Sequence, residues 1–233
     1  WYNIEAEGKS SHAYDAIVNL TRPLDVACHN RPLLQLTDQE RYQAMTKIRQ
    51  LFSLHSDHSS GPIFIAIFVG GHQNKRWPLA FWLMLIDAME ACEIRYVVFL
   101  GPEEFRLLAP IEQRLMSSLY GSLCPPLPIR HFAAVLGRAR LLVTPDSGPM
   151  HLAAALDVAT ISLVRQKKSL AFVPREAYDT ILWRPEISTV IDAISANLDG
   201  QNATAPVQLA SATNQPTQWV RTPPRAAPLH SSY

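Results

Sequence analysis

The chain has 233 residues, of which 48% are hydrophobic and 18% charged, and its formal net charge is +1. That is enough apolar material for one large domain with a sizeable core, and the near-neutral balance removes any general argument for nucleic acid or another polyanion as partner. Cys28, Cys92 and Cys124 are odd in number and far apart, so neither a disulfide framework nor a zinc site is indicated and reduced thiols are expected. No stretch is long and apolar enough to span a bilayer, and the run at residues 63–69 is far too short. Trp1 opens the chain with no Met and no signal-like leader, so the start reads as a cut.

Residues 1–11 are polar and irregular, and a short helix is expected from His12 to Leu20, followed by a Pro-containing connector to Leu36. Thr37 stands three residues before Glu40, the spacing of a capping box. Tyr42, Met45, Ile48 and Phe52 then recur at helical spacing and predict one apolar face. His55 to Pro62 reads as a loop. A buried strand is expected at 63–69 from its β-branched and aromatic content. A helix through Leu79, Trp82, Ile86 and Met89 follows, then a strand at 96–100 and a helix at 103–119 that Pro110 could kink. The spacing next predicts a helix at 129–138 with Ile129, Phe132 and Val135 or Leu136 inward. A strand at 141–144, a helix at 149–156 and a strand at 159–164 come after it. Ile187, Val190, Ile191, Ile194 and Leu198 mark a last amphipathic helix. Strands alternating with helices imply an α/β fold, a Rossmann-like parallel sheet with helices on both faces, here from residue 63 to about 164. The expected divisions are a connector over 1–36, the sheet domain over 37–200 and a disordered tail over 201–233. That tail contains Pro206, Pro216, Pro223, Pro224 and Pro228 and no Asp or Glu.

In open parallel sheets ligands bind beyond the carboxyl ends of the strands, which selects three loops. In Thr144-Pro145-Asp146-Ser147-Gly148-Pro149-Met150-His151, a strand ends and a helix begins. Asp146 or Ser147 can cap the helix, Gly148 permits close approach, and the free N–H groups suit a diphosphate with His151 near the same ligand. A plain capped helix with a buried histidine explains the same residues. In Gly70-Gly71-His72-Gln73-Asn74-Lys75-Arg76-Trp77-Pro78, the two glycines permit an unusual path and Lys75 can reach a phosphate oxygen; a solvated loop is the alternative. In Gly101-Pro102-Glu103-Glu104, Glu103 or Glu104 could accept from ribose hydroxyls, or simply favour a helix N-terminus. His55, Asp57 and His58 lack a partner cluster, so no metal is expected. Asn202-Ala203-Thr204 matches a glycosylation sequon in a chain with no sign of secretion. Arg165, Lys167 and Lys168 read as a solvated basic patch, although they follow a strand end and could meet phosphate or an anionic acceptor.

Together these loops resemble glycosyltransferase family 9, the heptosyltransferases. The matching motifs are Lys75-Arg76-Trp77-Pro78 and the run Asp146 to Ala155, with Gly101-Pro102-Glu103-Glu104 and His131 to Leu142 between them. The likeness covers roughly residues 12 to 198. Where the family often carries Gly-x-Thr after the strand at 161–164, this chain has Arg165-Gln166-Lys167. The resemblance implies the C-terminal, nucleotide-sugar-binding domain of a two-domain GT-B enzyme. Such an enzyme transfers heptose from ADP-heptose to a lipopolysaccharide core or related glycan acceptor by inversion. It implies donor-binding roles for Gly70, Gly71, Lys75, Glu103, Glu104, Asp146, Ser147, Gly148 and His151. It also implies no metal or cofactor, and a cytoplasmic enzyme, free or peripheral at the inner membrane. The general base is expected from an acceptor-binding N-terminal domain that this chain does not contain. Two other readings remain open at this stage: a non-catalytic or split nucleotide-binding module, and another GT-B enzyme such as a sugar-nucleotide epimerase.

Overall fold

The computed structural model describes residues 12–25, 28, 31–53 and 62–200. The expected disordered tail, the sequon and the His55–Asp57–His58 group lie outside the described residues. Helix α1 spans Ala13–Thr21 and α2 Asp38–Leu51, and the alternation then begins: β1 Ile65–Phe68, α3 Leu79–Ala91, β2 Tyr96–Phe99, α4 Phe105–Leu115, β3 Gly121–Cys124. It continues with α5 Ile129–Leu136, β4 Leu141–Pro145, α6 Gly148–Ala155, β5 Ala159–Val164, β6 Thr180–Trp183 and α7 Ile187–Leu198. The six strands form one sheet in the order β3-β2-β1-β4-β5-β6, and all five pairings are parallel. This is the doubly wound Rossmann-like order, in which the chain reverses its direction of travel across the sheet between β1 and β4.

Strand residues alternate in direction, so one short strand feeds two cores. Ile65 and Ile67 of β1 join the core under α3, α4 and α7, with Trp82, Ile86, Met89, Ile111, Val190 and Ile194. Phe64, Ala66 and Phe68 face the other way, among Ala44, Ile48, Phe132, Val135 and Leu136 of α2 and α5. Every residue of β1 is buried, which explains why it reads as a continuous apolar run rather than an alternation. Each such fully buried aliphatic contributes about 1.5–3 kcal/mol from area removed from water.

The sheet is two strands larger than the sequence predicts. β3 consists of Gly121-Ser122-Leu123-Cys124 at one edge, without a β-branched residue. β6 carries a usable signal in Thr180-Ile181-Leu182-Trp183 and extends the sheet to residue 183, beyond the expected limit near 164. Two helix faces also differ. Ile129 is 64% exposed and Tyr42 72% exposed, because α5 turns Phe132 and Ala133 to Leu136 inward and α2 turns Ala44 and Ile48 inward. α4 runs through Pro110 after a 3-10 turn over Pro102–Glu104. Cys28, Cys92 and Cys124 are all free thiols.

The segment before α2 lies against the sheet domain. His12 Nε2 meets the Val173 carbonyl at 2.9 Å, Arg31 pairs with Asp157 at 2.6 Å, and the Leu34 N–H donates to the Ala155 carbonyl at 2.8 Å. At α2 the expected capping box is present: the Glu40 N–H donates to Thr37 Oγ1, and the Thr37 N–H donates back to Glu40. Glu40 also takes both arms of the Arg130 guanidinium, at 2.6 and 2.7 Å, tying α2 to α5. Arg130 first, and then the Thr37 N–H, hold the Glu40 carboxyl down at about 2 against its ordinary 4.5. The folded value lies below the unfolded one, so the contribution is complete above pH 4.5 and is lost as pH falls toward about 2. Glu40→Gln is therefore expected to flatten the loss of stability across that acid window, as read by urea unfolding at a series of pH values. Parallel curves for the two proteins would contradict it.

Candidate functional site

The loops after β1 and β4 meet at the point where the strand order reverses, and there Lys75 Nζ pairs with Asp146 Oδ2 at 2.6 Å. The Lys75 side chain is 29% exposed and that of Asp146 only 7%. Lys75 closes a 3-10 turn over Gln73–Lys75, its N–H donating to the His72 carbonyl at 3.0 Å. The next residues hold that turn to the sheet. The Trp77 indole N–H donates to the Leu163 carbonyl of β5 at 3.3 Å, and its ring packs on Phe81 with centroids 4.2 Å apart. Arg165 lies over Trp77 at 5.4 Å and donates to the Arg76 carbonyl. Arg165 is thus a brace for the Lys75 loop rather than part of a solvated patch, while Lys167 and Lys168 are exposed as expected.

Asp146 does not cap α6. Ser147 occupies the N-cap position with extended backbone but makes no side-chain cap bond; its hydroxyl lies 2.9 Å from Thr144 Oγ1. The physical reason is competition: the ammonium of Lys75 and the hydroxyl of Thr144 claim the two side chains that could have capped. The start of α6 therefore keeps the outward amides and positive dipole end that suit an anion. A Cβ built on Gly148 would meet nothing within 4 Å, so the space in front of this helix is open. His151, one turn on, is half-buried, and its Nδ1 lies 2.8 Å from the Tyr14 hydroxyl. Burial pushes the imidazole below its ordinary pKa, with Asp146 pulling it up and Lys75 and His12 pushing it down.

The two acids after β2 have different surroundings. Glu104 is 6% exposed and accepts from the Gly71 N–H at 3.3 Å. A Cβ on Gly70 would lie 2.5 Å from the Phe68 ring and 2.7 Å from the Glu104 carboxyl carbon, and one on Gly101 would lie 2.5 Å from Glu104 Oε2. The glycines thus make room for a carboxylate that ties the two loops together. Glu103 keeps 70% of its side chain exposed and sits 3.3 Å from Arg76 Nη2; the same nitrogen is 3.5 Å from Glu104. So the structure gathers Gly70, Gly71, Lys75, Glu103, Glu104, Asp146, Ser147, Gly148 and His151 at the carboxyl ends of β1, β2 and β4. Arg76 and Tyr14, to which the sequence reading gives no role, join them. Tyr14 is 137 positions from His151, and no local pattern announces such a contact. Among the described residues no group of three or more His, Cys, Asp or Glu could hold a metal.

The arrangement joins a lysine and uncapped helix amides at the switch point to a carboxylate-bearing loop beyond β2. The sequence matches glycosyltransferase family 9 (heptosyltransferase) over residues 24–193. The chain belongs to this family. Lipopolysaccharide heptosyltransferase 1 of Pseudomonas aeruginosa is 41% identical over 93 residues, which are 39% of this chain and 25% of that protein. Among solved structures, the glycosyl transferase family 9 protein of Veillonella parvula superposes with a TM-score of 0.67 at 20% identity, covering 84% of this chain and 63% of that one. The ADP-heptose LPS heptosyltransferase II of E. coli superposes at 0.56 and 18% identity, covering 77% and 57%. These superpositions support the Rossmann-like fold of a GT-B glycosyltransferase domain. The chain spans less than two thirds of the length of each of these relatives. Among the described residues no helix is long and apolar enough to cross a membrane.

Proposed function

We propose that this chain is the donor-binding part of an inverting heptosyltransferase that uses ADP-heptose and a lipopolysaccharide core acceptor. The observation that carries the proposal is the Lys75–Asp146 pair set beside the uncapped start of α6 at the switch point. In the reaction the bond between the anomeric carbon and the diphosphate oxygen breaks, and both electrons leave with the diphosphate. The nucleotide gains negative charge while the sugar carbon passes through an oxocarbenium-like centre. Lys75 and the amides of Ser147 and Gly148 stabilise that charge where it develops, which lowers the barrier because the interaction strengthens toward the transition state. A cation and helix amides supply this stabilisation with no metal or cofactor called for. Asp146 holds Lys75 in place, His151 orients the donor, and Glu103, the open carboxylate of its pair, accepts from the ribose hydroxyls. Glu104 keeps the Gly70–Gly71 turn in register with the β2 loop. The acceptor hydroxyl attacks the face opposite the leaving group and gives its proton to a base on the acceptor-binding domain. We place the enzyme in the cytoplasm, free or peripheral at the inner membrane.

Gly148→Ala tests the proposal with little risk to folding, since the added methyl enters open space. In calorimetry with ADP, the variant is expected to bind at least about tenfold more weakly, roughly the cost of displacing one charged hydrogen bond. Equal affinity of variant and parent would place the diphosphate elsewhere.

A further inference from the structure

We propose that Tyr14 is a positioning residue for His151: its hydroxyl donates to Nδ1 and fixes the imidazole as the Nε2–H tautomer, so that a neutral histidine presents an N–H to the anionic donor. The proposal rests on the donor-binding role given to His151 above. It adds α1, from outside the sheet domain's strand–helix alternation, to the machinery of the site.

The contact is a hydrogen bond of 2.8 Å between Tyr14 Oη and His151 Nδ1, with the rings in an edge-to-face arrangement at 5.9 Å. Tyr14 is itself firmly placed. Its N–H donates to His12 Nδ1 at 3.3 Å, so that nitrogen carries no proton. His12 Nε2 must then hold the hydrogen, and it donates to the Val173 carbonyl at 2.9 Å. His12 is 6% exposed and caps α1, and Asp15, the residue after Tyr14, pairs with Arg175. The start of α1 is thereby fastened at three points to the 173–175 segment and α6.

Two hydrogen-bond directions fit a distance of 2.8 Å, and the chemistry of the site separates them. If Nδ1 donated to the tyrosine oxygen, Nε2 would offer a bare lone pair to the donor and repel a diphosphate. If the hydroxyl donates, Nε2 carries the hydrogen and attracts one. Burial, with Asp179 adding to it, raises the Tyr14 pKa to about 12, so the hydroxyl keeps its proton to give. The charged and titratable groups facing His151 are Asp146, Lys75, His12 and Tyr14. Burial outweighs the pull of Asp146 and favours the neutral ring, and a neutral imidazole acts as a directed donor only when its tautomer is set.

The experiment uses the whole chain, side-chain nitrogen NMR of its histidines, and ADP as probe. The parent is expected to show His151 as the Nε2–H tautomer, and Tyr14→Phe, which keeps the ring contact with His151, to show a mixture of tautomers. ADP affinity is expected to fall about three- to tenfold in the variant, the effect of one lost neutral hydrogen bond. A parent spectrum with the hydrogen on Nδ1 overturns the proposal even if the variant does not fold. An unchanged tautomer together with unchanged ADP affinity in Tyr14→Phe overturns it as well. Failure of the parent to bind ADP would strike the donor-site reading, while the tautomer comparison would still decide the role of Tyr14.

Discussion

Incubated alone with ADP-heptose and a heptose-deficient lipopolysaccharide, this chain is expected to bind the nucleotide yet leave the acceptor unmodified. Transfer needs an acceptor hydroxyl held in line with the breaking bond and a base within hydrogen-bond reach of it. Two carboxylates of the candidate site are engaged within the fold, Asp146 with Lys75 and Glu104 under Gly71, and the open Glu103 is assigned to the ribose of the donor. His151 is held through Nδ1 to Tyr14. Losing a general base removes on the order of 10²–10⁴ in rate, and losing acceptor alignment removes more. The measurement is the mass shift of the acceptor, repeated after adding a separately expressed acceptor-binding domain, which is expected to restore transfer. Robust transfer by the chain alone would mean that the base lies among these residues and that the proposed division of labour is wrong.

Lys75→Ala is expected to weaken ADP binding by about 1.5–3 kcal/mol, the worth of a charge-assisted hydrogen bond, or roughly ten- to 150-fold. It also strands the Asp146 carboxylate, which is 7% exposed and has the Lys75 ammonium at 2.6 Å. Removing one partner of a largely buried pair is costly because the other charge remains, so the variant should unfold at lower denaturant concentration as well. Combining Lys75→Ala with Asp146→Asn removes the stranded charge. The double variant should recover stability without recovering the phosphate contact. Calorimetry with ADP and urea unfolding on the parent and the two variants separate the two effects. If the double variant regained both, Lys75 would be a structural residue only.

The sheet and the three loops were legible because fully buried parallel strands leave dense β-branched runs, as at Ile65–Phe68 and Ala159–Val164. The helices between them keep a 3.6-residue period. β3 escaped because an edge strand of Gly, Ser, Leu and Cys carries neither signal; its pairing with β2 is set by tertiary position. β6 was legible in principle, through Thr180, Ile181 and Trp183. At the site, residue types and strand ends marked Lys75 and Asp146 for the same edge. What could not be read locally was who claims whom. Asp146 is a reasonable cap until Lys75 lies beside it, Arg165 a reasonable surface charge until Trp77 lies under it, and Tyr14 gives no reason to be singled out until its hydroxyl meets His151.

The packing of Glu104 beneath two glycines bears on how this sequence can drift over generations. A side chain at Gly70 would meet the Phe68 ring and the Glu104 carboxyl carbon together, whereas one at Gly101 would meet only the tip of the Glu104 side chain, which can swing aside. Position 70 is therefore the more constrained of the two, while a small residue at 101 costs only the displacement of Glu104 from its contact with the Gly71 N–H. Once Glu104 is lost, position 101 opens, but position 70 remains closed until Phe68 also changes. Drift at position 101 and at Glu104 is thus coupled through one movable carboxylate, and drift at position 70 through that carboxylate and the Phe68 ring together.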